Sequence, residues 1–152
     1  YDHIKARDEL LQFYDGVEGP RGLHLCGNPD WDFLLSLGID IISLNAWAFG
    51  DIFVNYGKVN TFIEKGGVVS WGIVPTYQEE LVKEDIGTMT ARLEMIWGPL
   101  VQRGLGTDEI AAGSLLAPAT CNLANPDRTE TVERAFGFLR RVSADMKERY
   151  MQ

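Results

Sequence analysis

The chain has 152 residues, 45% of them apolar, and a formal net charge of -8. This length is enough for one compact core, so we expect residues 1–152 to form a single domain. The negative charge and the lack of a Lys/Arg cluster argue against a nucleic-acid partner. No stretch approaches the roughly 20 apolar residues of a membrane span, so we expect a cytoplasmic protein with no membrane partner.

The first part of the chain alternates between helical and strand patterns. Apolar residues recur at helical spacing in three segments, and two short apolar runs between them are typical of buried strands. Glycine and proline separate most of these segments. The patterns predict helices over 4–18, 28–37 and 50–65, and strands over 21–26 and 39–44.

The second part repeats this alternation twice. The apolar run over 68–74 predicts a strand, and a long amphipathic helix is expected over 80–103. Pro99 lies inside that helix and predicts a kink or a break. A weaker strand is expected over 112–119, followed by a last helix over 129–149.

Strands that alternate with helices predict a parallel sheet with the helices packed outside it. The expected fold class is therefore α/β, with four strand–helix units after an opening helix. A closed (β/α)8 TIM barrel needs about 250 residues, so four units correspond to half of one. No glycine-rich phosphate loop follows any strand, which argues against a dinucleotide-binding fold.

Three side chains that could bind a metal occur at predicted strand ends. His24 and Cys26 lie two residues apart at the end of the first strand, so both leave on the same face. Cys121 follows the fourth strand, and the carboxyl ends of parallel strands open on one side of a barrel. Imidazole and thiolate are good zinc ligands, so these residues predict a mononuclear Zn²⁺ site. Two ordinary thiols beside a buried histidine remain the alternative.

Three protein ligands leave one tetrahedral position open, which is typical of catalytic rather than structural zinc. A thiol that enters this position would lose its proton at neutral pH and become a nucleophile. Attack on an electrophilic methyl group is then the expected reaction. Hydrolysis by a zinc-bound hydroxide is the competing chemistry, but two thiolate ligands make the metal a poorer activator of water.

Three segments together resemble the cobalamin-independent methionine synthase and uroporphyrinogen decarboxylase-like superfamily. They are residues 23–27 (LHLCG), residues 40–45 (DIISLN) and the final Pro118-x-x-Cys121. The resemblance covers about residues 20–150 and corresponds to the carboxyl-terminal half of the family's barrel. It implies a zinc-dependent methyltransferase that acts on a small thiol, with a corrinoid protein or a folate as methyl donor.

Two positions depart from the family's pattern. Methionine synthases carry a Glu ligand where this chain has Asn45, which we expect to hydrogen-bond the substrate or a neighbouring ligand. They also carry a catalytic His after the third strand, and residues 70–76 contain none. Both departures weaken the assignment to a folate-dependent methionine synthase and are compatible with a relative that uses another methyl donor. Trp71 could line the substrate pocket or simply pack in the interior of the barrel.

The resemblance also implies that half of the pocket lies outside this chain. Either the amino-terminal half of the barrel or a second copy of the chain would complete it, because folded proteins avoid open parallel sheet edges. Two other readings stay open at this point: a non-catalytic half-barrel that needs a partner, and a metal-free uroporphyrinogen decarboxylase-like enzyme.

Overall fold

Four short parallel strands form one sheet in the order β1-β2-β3-β4. A computed structural model describes residues 2–121 and 123–151. The strands are β1 (Gly22–Leu25), β2 (Ile41–Leu44), β3 (Val68–Val74) and β4 (Ser114–Pro118). The helices are α1 (His3–Asp15), α2 (Trp31–Leu35), α3 (Ala46–Phe53), α4 (Val59–Glu64), α5 (Gln78–Leu81), α6 (Ile86–Gln102), α7 (Thr107–Ala112) and α8 (Glu130–Tyr150).

The sequential strand order decides where the helices lie. Crossovers between parallel strands are right-handed, so strands added one after another in the same direction leave every helix on one face. Side chains of that face, such as Ile42, Leu44 and Ile73, are fully buried, whereas Gly22 and His24 on the opposite face are exposed. The predicted α/β fold class, four βα units equivalent to half of a TIM barrel, is confirmed.

Four aromatic rings in successive contact form the centre of the core between the sheet and the helices. The rings of Trp31 and Phe53 lie 5.2 Å apart, those of Phe53 and Trp71 5.8 Å, and those of Trp71 and Trp97 6.2 Å. Tilted and edge-on pairs at such distances stabilise a core by about 0.5–1.5 kcal/mol each beyond the burial of their surface. These rings hold α3 and α6 against β3.

The helix predicted over 50–65 is two helices, α3 and α4. Asn45 begins α3 earlier than expected, because its Oδ1 accepts a hydrogen bond from the Ala48 N–H at 3.1 Å. Before α4, the Lys58 N–H donates to Oδ1 of Asp32 at 2.8 Å. This acceptor belongs to α2, 26 residues away, so the local apolar spacing carries no sign of it.

The expected break at Pro99 does not occur. Helix α6 begins at a capping box formed by Asp85 and Thr88 and continues through Pro99 to Gln102. Proline lacks the N–H that would donate to the carbonyl of Met95. Met95 lies on the exposed face of the helix, where water can donate to that carbonyl instead. Helix α6 is therefore continuous through Pro99. It is shorter than the predicted helix over 80–103, and the short helices α5 and α7 precede and follow it.

None of the described helices combines the length and the apolar character that crossing a lipid bilayer requires.

Candidate metal centre

His24 and Cys26 lie at the carboxyl end of β1. His24 is paired in register with Ser43 of β2, and a hydrogen bond of 2.8 Å joins its Nδ1 to the Ser43 Oγ. The other ring nitrogen, Nε2, lies 3.2 Å from the Cys26 Sγ. Cys26 is the first residue after the strand, so it continues the alternation that points both side chains to the face opposite to the helices.

Cys121 reaches the same place from the opposite edge of the sheet. β1 and β4 are three strand spacings apart, about 14 Å along a flat sheet. Even so, the Sγ atoms of Cys26 and Cys121 lie 3.2 Å apart. The chain segments after the two edge strands must therefore converge above the ends of β2 and β3.

Asn125 ties the segment after β4 to the segment after β3. Its Nδ2 donates to the Thr76 carbonyl at 2.8 Å, and its Oδ1 accepts from the Gln78 N–H at 3.0 Å. These two bonds are made by a single side chain four residues beyond Cys121. They hold the segment that carries the thiol against the neighbouring strand end.

The three ligand atoms fit a zinc ion with a small adjustment. Nε2 of His24 and the two sulfur atoms all lie within 4.8 Å of one another. Tetrahedral zinc, with Zn–S of about 2.3 Å and Zn–N of about 2.0 Å, needs ligand atoms roughly 3.5–3.8 Å apart. The observed separations of 3.2 Å would have to widen by a few tenths of an ångström. Both cysteines are exposed, so rotation of their side chains can supply this change.

The two thiols also interact electrostatically. Cys26 raises the pKa of Cys121, first through the hydrogen bond between the sulfur atoms, then through Coulombic interaction, with a smaller effect of desolvation. Two adjacent thiolates would repel each other, and this favours retention of the Cys121 proton. A cation held between the sulfur atoms would replace that proton and remove the repulsion.

Asn45 is buried at the end of β2 and has a structural partner. It lies two residues beyond Ser43, and its Oδ1 caps α3 through the Ala48 N–H. A cap of this kind stabilises a helix by about 1 kcal/mol. Contact between Asn45 and a substrate stays a prediction, with its Nδ2 as a candidate donor.

Trp71 lies on the helix-covered side of β3. Its side chain is 0% exposed, its Nε1 donates to the Ser114 Oγ at 2.8 Å, and its ring packs between Phe53 and Trp97. Of its two expected roles, these contacts correspond to core packing, on the face opposite to His24. The structure does not bring Trp71 together with the three metal-ligating residues.

Ser43 is part of the site, although the sequence analysis did not single it out. It is the one polar residue in the apolar run Ile41–Leu44 of β2. A polar side chain in a strand that is otherwise apolar was the available signal. Its partner depends on the register between β1 and β2, which the sequence does not show.

Comparisons with protein-family models, curated proteins and solved structures return no match for this chain.

Proposed function

We propose that the chain binds one zinc ion through His24, Cys26 and Cys121 and activates a thiol substrate for methyl transfer. One observation carries this proposal: both cysteines of the chain and one of its two histidines converge within 4.8 Å. They do so at strand ends, where parallel α/β sheets place their sites. A chance meeting of inert thiols would not also bring in an imidazole whose far nitrogen is hydrogen-bonded.

The protein's own groups would prepare the site in two ways. The Ser43 hydroxyl can accept the Nδ1–H of His24, and this tautomer would direct the Nε2 lone pair at the Cys26 side of the cluster. Cys26 and Cys121 would bind the metal as thiolates and supply negative charge to it. Three protein ligands leave one position open to solvent, and the exposed cluster gives a substrate sulfur direct access to it.

The bound metal would lower the pKa of the substrate thiol, so that its proton leaves to solvent at neutral pH. The activated sulfur would then be able to attack the methyl carbon of the donor. In that reaction the new S–C bond would form as the bond between the methyl group and the donor breaks, and the donor would keep that electron pair. A methylated corrinoid protein or a methylated folate is the donor class that we propose.

The proposed reaction needs a more enclosed pocket than the described residues form. A thiolate nucleophile reacts better when water is excluded from it, yet the cluster lies on an open sheet face. Walls from outside the described residues must therefore complete the pocket. Methyl transfer by this chain alone is expected to be slow until such walls are present.

Metal analysis of the purified protein tests the proposal. We expect close to one zinc per chain after purification without chelator, and strong loss of zinc in Cys26→Ser, Cys121→Ser and His24→Ala. The chain offers a matched control in its other histidine, since His3→Ala should keep the zinc. Methyl transfer is then measured with methylcobalamin or a methylated folate and a panel of small thiols, and the product is detected by mass spectrometry.

The two measurements separate the parts of the proposal. A protein that holds no zinc, or that loses it equally in His3→Ala, contradicts the metal site. A protein that holds zinc but methylates no thiol with either donor class, even when its barrel is completed, contradicts the reaction.

A further inference from the structure

Gly72 lies near the carboxyl end of β3, between the ends of the two neighbouring strands. β3 is flanked by β2 and β4, and Gly72 is two residues from its last residue, Val74. The register between β3 and β4 shifts between Gly72 and Val74. Beyond this shift, the Ala119 N–H donates to the Val74 carbonyl at 2.7 Å. The chain that leaves β4 is therefore still attached to β3 one residue after β4 ends.

A side chain at position 72 would have no room. A methyl carbon on Gly72 would lie 2.6 Å from the carbonyl oxygen of Leu44, 2.9 Å from that of Pro118 and 3.1 Å from the Cα of Ala119. Non-bonded heavy atoms pack best at roughly 3.5–4.0 Å. The three atoms belong to the backbone, so no side-chain rotation relieves these contacts. The φ of Gly72 is outside the left-handed region, so glycine is needed here for space and not for an unusual conformation.

The backbone atoms that meet over Gly72 belong to the segments that lead to the two thiols. Leu44 ends β2 and pairs in register with the residue directly before Cys26. Ala119 precedes Cys121 by two residues. The close approach of these strand ends therefore accompanies the close approach of the two Sγ atoms, which lie 3.2 Å apart.

We propose that Gly72 is a positioning residue of the metal centre, because its lack of a side chain lets the ends of β2 and β4 close over β3. This closure holds Cys121 beside His24 and Cys26. A methyl group at position 72 would push the strand ends apart, and binding sites tolerate displacements of only about 0.5 Å. The consequence for zinc rests on the proposed function, whereas the consequence for the distance between the two thiols does not.

Zinc affinity of Gly72→Ala, measured by competition with a chromogenic chelator, is the first test. We expect it to fall by about 10-fold or more, as when other residues that hold metal ligands in place are changed. Gly67→Ala is the matched control, since Gly67 directly precedes β3 at its opposite end. A methyl carbon there would be equally crowded, 2.6 Å from the Phe62 carbonyl oxygen. Gly67→Ala should lose stability but keep the zinc affinity, and circular dichroism shows that each variant is folded.

Equilibration of the metal-free protein with a glutathione redox buffer is the second test. In this exchange Cys26 and Cys121 lose two hydrogens and form one disulfide, while oxidised glutathione takes up both hydrogens and becomes two thiol molecules. A disulfide needs sulfur atoms about 2.05 Å apart, so wider separation of the strand ends makes it harder to form. We expect the equilibrium constant to fall about 10-fold or more in Gly72→Ala and to stay unchanged in Gly67→Ala. A loss of stability in a protein that remains folded does not produce this difference.

Ala119→Pro disturbs the same strand end without adding an atom at position 72. Proline removes the N–H that donates to the Val74 carbonyl and places a ring carbon against that oxygen, so the end of β4 should move away from β3. Zinc affinity and the glutathione equilibrium constant should both fall in this variant. It provides the test if Gly72→Ala does not fold.

The outcomes separate this proposal from the proposed function. Wild-type values in folded Gly72→Ala overturn the positioning role, and so do equal losses in Gly67→Ala. A loss of zinc affinity with an unchanged glutathione equilibrium overturns it too, because the thiols would not have moved apart. If Gly72→Ala is unfolded, wild-type values in Ala119→Pro have the same meaning. A wild type that binds no zinc, but whose glutathione equilibrium depends on Gly72, contradicts the metal site and supports the closure of the strand ends over Gly72.

Discussion

Nδ1 of His24 lies 2.8 Å from the Oγ of Ser43, and the two residues are register partners on adjacent parallel strands. The serine hydroxyl can accept the Nδ1 proton, and this leaves Nε2 as the lone-pair nitrogen on the side of Cys26. Metal-binding histidines commonly have such a partner, because it selects the tautomer and holds the plane of the ring.

Replacement of Ser43 should weaken zinc binding without altering the ligands. We expect Ser43→Ala to reduce zinc affinity by about 10- to 100-fold, the usual effect of losing the partner of a metal-bound histidine. Ser43→Thr keeps the hydroxyl and should restore most of the affinity. Competition with a chromogenic chelator measures both variants. Equal affinities for Ser43→Ala and the wild type would contradict a positioning role.

Oxidation should join Cys26 and Cys121 in the metal-free protein, because their sulfur atoms lie 3.2 Å apart and are exposed. With hydrogen peroxide as oxidant, the two thiols lose two hydrogens to form one disulfide, and the peroxide becomes two waters. Bound zinc should protect them, because it would coordinate one lone pair of each sulfur and hold the two atoms apart. Mass spectrometry after alkylation detects the loss of two hydrogens. Equal rates of cross-linking with and without zinc would contradict shared ligation.

Asn45 should contribute to stability through α3. We expect Asn45→Ala to lower the free energy of unfolding by about 1 kcal/mol, because the Ala48 N–H loses its acceptor. Asn45→Asp keeps an oxygen at that place and should recover most of the loss. Urea unfolding measures both variants. A variant with normal stability but a raised KM for the thiol would instead support the predicted contact with substrate.

Trp71 should matter for the core rather than for the metal centre. We expect Trp71→Ala to destabilise the protein by about 3–5 kcal/mol, since it removes a ring packed between Phe53 and Trp97. Trp71→Phe should cost less, and the folded variant should bind zinc as the wild type does. Thermal unfolding and metal analysis together check this. Normal stability with lost substrate affinity would place Trp71 in the pocket instead.

The fold class could be predicted because the periods of strand and helix are local properties. The apolar run over 68–74 matches β3, and the spacing of two between His24 and Cys26 places both on one face. Helix ends were harder to predict, because some depend on distant partners. The start of α4 depends on Asp32 of α2, and the continuation of α6 through Pro99 is favoured by the exposed position of Met95.

The sequence alone therefore determined the four strands, their alternation with helices and the candidate ligands, but not the division of 50–65 into two helices or the short helices α5 and α7. Tertiary structure decided which side chains meet. Cys26 and Cys121 are 95 residues apart and come together only because the ends of the two edge strands converge. Ser43 becomes the partner of His24 through strand register, and Trp71 faces the core through the pleat of β3. Such contacts depend on distances between segments, which local periodicity does not encode.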